Sequence, residues 1–71
     1  MEEVSFRDSK MFDEITDREK DEIEKNPEYM FGMYRARLRG IENLTQSAEL
    51  IELRSELMIK QAYAQLLMLD V

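Results

Sequence analysis

The sequence predicts an all-α fold, and three observations carry that reading. From Thr45 to Leu69 the chain runs TQSAELIELRSELMIKQAYAQLLML with no Gly or Pro to interrupt it, which reads as one long helix. Upstream, Asn26-Pro27 opens a second segment whose apolar residues recur at helical spacing. Thr16 and Glu19 stand three apart, the capping-box pattern that starts a shorter helix. The expected architecture is an antiparallel helical hairpin, about 27–43 against about 46–69, with a short acidic helix over about 17–25. A dimeric helical bundle is its expected assembly.

Residues 1–15, MEEVSFRDSKMFDEI, carry Val4, Phe6, Met11, Phe12 and Ile15 among acidic and small polar residues, and no single period fits them. They read as an acidic N-terminal arm, partly ordered or docked on a partner, ahead of a single helical domain over 16–71. Asp8 can cap a turn that gathers Met11, Phe12 and Ile15 on one side. Phe6, Met11, Phe12 and Ile15 are the expected anchors for a protein partner, with Asp13 and Glu14 steering toward a basic surface.

The short helix starts after Thr16 and stops at Asn26, because the residue before Pro27 is pushed out of the α region. A continuous helix from Ser9 to Lys25 is the alternative. Ile23 is the only large apolar residue between Thr16 and Asn26, so this helix needs a neighbour to be stable.

In the second helix Asn26 serves as cap, and Pro27 at the first position forgoes no hydrogen bond. Met30, Met33, Tyr34, Leu38, Ile41 and Leu44 fall within an arc of about 140°, with Phe31 on its border. Gly32, Ala36 and Gly40 stand four apart beside that arc. Two glycines in a soluble helix cost roughly 0.8–1 kcal/mol each relative to Ala. Their register calls for a close helix crossing, within the hairpin or across a dimer. Arg37 is the one charge inside the arc, either snorkelling outward or paired with Glu52, Glu56 or an N-terminal acid.

Asn43-Leu44-Thr45 is the expected turn, with Thr45 or Ser47 capping the third helix. Helical spacing separates two apolar stripes on that helix. Ala48, Ile51, Met58, Ile59, Ala62, Leu66 and Leu69 form one, and Leu50, Leu53, Leu57 and Met68 form the other. A helix covered by one neighbour needs a single stripe, so a second chain is expected here. Leu50, Leu53, Leu57 and Met68, with Gly32, Ala36 and Gly40, are the expected oligomer interface.

Composition bounds the rest. A chain of 71 residues buries only about 60% of its unfolded surface, and small folds of this kind recruit a staple. With no Cys and no His, disulfides and the usual zinc, haem and iron–sulfur ligands are missing, which leaves association as the source of further burial. No metal or cofactor is expected. The net charge of −6 is concentrated at the N-terminus, where residues 1–28 hold eleven acids and five bases. Residues 29–46 are positive, with Arg35, Arg37 and Arg39 against Glu42.

Nucleic-acid binding through those arginines is a third-ranked reading, opposed by the acidic remainder. No run approaches a membrane span and no basic, apolar leader opens the chain, so a cytoplasmic location is expected. Catalysis lacks a His base, a Cys nucleophile or a Gly-x-Ser-x-Gly context. The function expected is therefore non-enzymatic: a small acidic adaptor or inhibitor that occludes or bridges a protein partner. The second class is a structural subunit or assembly chaperone.

Overall fold

The computed structural model describes residues 9–69, and within them every regular element is helical. A 3-10 turn at Lys10–Phe12 precedes α1 (Asp17–Lys25), α2 (Pro27–Glu42) and α3 (Ala48–Leu69). The expected all-α class holds. Val4 and Phe6 lie outside the described residues.

Local chemistry sets each boundary. Ser9 accepts a hydrogen bond from the Met11 amide at 3.3 Å and starts the 3-10 turn. Thr16 then adopts an extended conformation, with φ −69° and ψ 157°, which breaks the chain between that turn and α1. The helix starting after Thr16, not a continuous one from Ser9, is therefore what forms. Its capping box is complete: the Glu19 amide donates to Thr16 Oγ1 at 3.1 Å, and the Thr16 amide donates to Glu19 Oε1 at 3.1 Å.

Asn26 closes α1 and opens α2, where its side chain accepts from the Tyr29 amide at 3.4 Å. α2 ends one residue before the expected Asn43, and α3 begins later than expected, at Ala48. Ser47 is the cap, accepting from the Leu50 amide at 3.2 Å. The later start follows from Gln46, whose side-chain amide donates to the carbonyls of Ile41 at 3.1 Å and Leu44 at 2.9 Å. Those bonds hold Gln46 in the turn, where the Ile41 carbonyl also accepts from the Leu44 amide at 3.0 Å.

α2 and α3 make the principal helix–helix contact, and α1 and the 3-10 turn pack on α3. Phe12, Ile15, Ile23, Tyr34, Leu38, Ile41, Leu57, Tyr63 and Ala64 form the core. Phe12, Ile23 and Tyr63 are its largest fully enclosed side chains. The Phe12 and Tyr63 rings meet edge to face, centroids 5.0 Å apart, a geometry that aligns the positive edge of one ring with the negative face of the other.

Truncating Phe12 to Ala removes a buried ring and is expected to cost about 3–5 kcal/mol. Met11→Ala, at a position 65% exposed, is expected to change stability by no more than about 0.5 kcal/mol. Urea unfolding followed by circular dichroism checks both.

Candidate functional site

Two polar contacts, between four residues, hold α1 against α3. Glu19, already in the capping box, forms an ion pair with Lys60 of α3. One turn further along, the Tyr63 hydroxyl donates to Glu24 Oε2 at 2.6 Å, short enough for a charge-assisted bond. Tyr63 lies in neither of the expected stripes of the third helix, yet it is fully buried. Lys20 is also buried. Among the described residues every buried side-chain nitrogen and oxygen has a hydrogen-bond partner.

These contacts shape the local electrostatics. The hydrogen bond from Lys60 holds the Glu19 carboxyl below its ordinary value of 4.5, working against partial burial, and the Thr16 backbone and hydroxyl lower it further. Burial pushes the Tyr34 phenol upward, and the nearby charges of Glu19 and Glu22 add to the shift. Beside the ion pair lies a cavity of about 150 Å³ lined by Glu14, Ile15, Glu19, Glu56, Ile59 and Lys60. Among the described residues no group of three acidic side chains is arranged to hold a metal ion.

The residues expected to anchor a partner are divided by the fold. Met11, Asp13 and Glu14 are exposed, whereas Phe12 and Ile15 are 1% and 3% exposed. Those two fill the chain's own core, because the segment 9–15 folds back onto α3, a neighbour that is always at hand and costs no association entropy. Phe6 lies outside the described residues. The residues expected at an oligomer interface are divided as well. Leu57 is buried, Leu50 and Met68 are half-buried and Leu53 is exposed. Of that stripe Leu57 and Leu50 join the core, beside Tyr63, Ala64 and Leu67, whereas Leu53 does not.

Gly32, Ala36 and Gly40 are exposed, and a Cβ added at either glycine meets nothing within 4 Å. Among the described residues the small-residue row therefore serves no helix crossing. Arg37 is exposed and, among the described residues, makes no ion pair with Glu52, Glu56 or another acid.

Among the described residues, two extended apolar surfaces are uncovered. The first is a groove of about 470 Å³ lined by Arg37, Gly40, Ile41 and Leu44 with Leu53 and Leu57. Leu44 and Leu53 are 54% and 42% exposed there, and none of the lining residues comes from α1 or the 3-10 turn. The second is the outer side of α3, where Ile51, Met58 and Leu69 are each more than half exposed. The groove has the size of a pocket that takes a side-chain cluster or small ligand. Its single charge, Arg37 on an apolar wall, favours a ligand with an acidic group beside apolar ones. Comparison with family models, curated proteins and solved structures finds no match, so the functional reading rests on this geometry.

Because its folded pKa is lowered, Glu19 contributes stability that is present above 4.5 and lost as pH falls below it. With Glu19 34% exposed, solvent screening limits that contribution to no more than about 1 kcal/mol. Urea unfolding at pH 7 and pH 3 is expected to show Lys60→Met losing less stability on acidification than the unsubstituted chain.

Proposed function

We propose that this chain is a non-enzymatic protein-interaction module, an adaptor or inhibitor acting in the cytoplasm by occluding or bridging a protein partner. Its framework is an antiparallel hairpin of α2 and α3, with α1 and the arm folded across it, and it works as a homodimer. The observation that carries this reading is the uncovered groove between α2 and α3, apolar on five of its six lining positions and edged by Arg37. Exposed apolar surface of this extent on so small a chain is a common mark of a protein interface. The favoured occupant is an amphipathic helix of another protein, with apolar side chains toward Leu44 and Leu53 and a carboxylate toward Arg37.

This assignment moves the docking element from the arm, whose Phe12 and Ile15 are core residues, to the groove. Two apolar surfaces on one small chain favour bridging over simple occlusion. They also support the structural-subunit reading, in which the outer row of one copy sits in the groove of the next. A head-to-tail contact of that kind does not close on itself unless its rotation does. Light scattering separates the two: a mass that climbs steadily with concentration supports the subunit reading, and a fixed mass supports the adaptor.

The adaptor reading is tested by comparative affinity capture. Leu44→Glu and Arg37→Glu each alter the groove at exposed positions and are expected to lose the proteins that the unsubstituted chain retains, while Glu49→Gln keeps them. Equal recovery by all four chains overturns the assignment to the groove.

A further inference from the structure

We infer that the outer face of α3 binds α3 of a second copy in antiparallel orientation, an inference that rests on the dimer proposed above and assigns its interface. Ile51, Ser55, Met58, Ala62, Gln65 and Leu69 follow one another at alternating steps of four and three, the spacing of a coiled-coil seam. Five of its six positions are on the outside, with Ile51, Met58 and Leu69 at 53%, 51% and 71% exposed, and Ala62 is half-buried. Single exposed apolar residues need no explanation, but three in one register along about 27 Å of helix do.

The occupant is a second copy because the seam complements itself. When Ile51 faces Leu69 of the partner subunit, Met58 faces Ala62 of the partner subunit, and Ser55 faces Gln65 of the partner subunit. Apolar then meets apolar, and the two polar seam positions meet each other. Ala62 and Ser55 are small enough for the helices to approach closely.

Charge selects the direction. Glu49, Glu52, Arg54, Glu56 and Lys60 all lie in the first thirteen residues of α3, and residues 61–69 carry no charge. Parallel copies would set the acidic start of one helix beside that of the other, whereas antiparallel copies set it beside the uncharged half.

Shape fits as well: the molecule is elongated, with extents of 48 × 22 × 18 Å, which presents α3 lengthwise.

Sedimentation equilibrium and directed cross-linking test the assignment. The unsubstituted chain is expected to be a dimer at micromolar concentration, and Met58→Glu to raise its dissociation constant by about a hundredfold. Because Met58 is half exposed in the folded chain, helicity by circular dichroism should stay unchanged. The chain has no cysteine, so single thiols are clean reporters. A mixture of Met58→Cys and Ala62→Cys chains is expected to form the mixed disulfide in preference to either self-linked product. A dimer indifferent to Met58→Glu overturns the face, and preferential self-linking of Met58→Cys overturns the direction. An unsubstituted chain that sediments as a monomer overturns the dimer itself and with it this inference, but not the groove.

Discussion

Tyr63 is the point on which this small fold closes. A tyrosine ring brings more apolar area than any aliphatic side chain of α3, but its hydroxyl cannot be buried without a partner. Glu24 of α1 provides that partner at 2.6 Å, and Phe12 of the 3-10 turn covers the ring edge-on. The acidic N-terminal third of the described chain thus contributes Phe12, Ile15 and Ile23 to the core. Ile23 alone could not hold α1 in place; the Tyr63 hydrogen bond and the Glu19–Lys60 ion pair add direction to its apolar contact.

The same closure decides which way α3 faces. Once Leu57, Tyr63 and Ala64 are turned inward, helical geometry leaves Ile51, Met58 and Leu69 on the outside. A 22-residue helix has more apolar circumference than α1 and α2 cover. α1 is only nine residues long, and no part of it or of the 3-10 turn lines the Arg37–Leu53 groove. The apolar surface available for binding is therefore a remainder, located by where the core had to form. The proposed groove and the proposed α3 pairing occupy different parts of it, so one chain has room to engage both a copy of itself and another protein.

What the sequence made legible was local. The Thr16 box, the Asn26-Pro27 junction and the Gly- and Pro-free length of α3 are signals within a few residues, and each forms close to where it was placed. Burial was harder, because it depends on partners far apart in the chain. Tyr63 fell between the two stripes and went unassigned, since its value lies in Glu24, 39 residues away. Phe12 and Ile15 show no period and so read as a docking peptide; the surface on which they dock belongs to the same molecule. For the glycines at 32 and 40 the spacing was informative but the destination was not: the space above both is open. An outward row of Ile51, Met58 and Leu69 was visible as a stripe, but spacing alone did not say which stripe would face the core.

The account stands on the 3-10 turn and α1 being folded onto the Tyr63 face of α3, since that contact fixes everything left outside. A nuclear Overhauser spectrum of the unsubstituted chain tests it directly. Cross-peaks between the Phe12 and Tyr63 ring protons are the result expected from an edge-on pair 5.0 Å apart. Their absence, with Tyr63 ring protons contacting Ile51 or Met58 of another molecule instead, would contradict it.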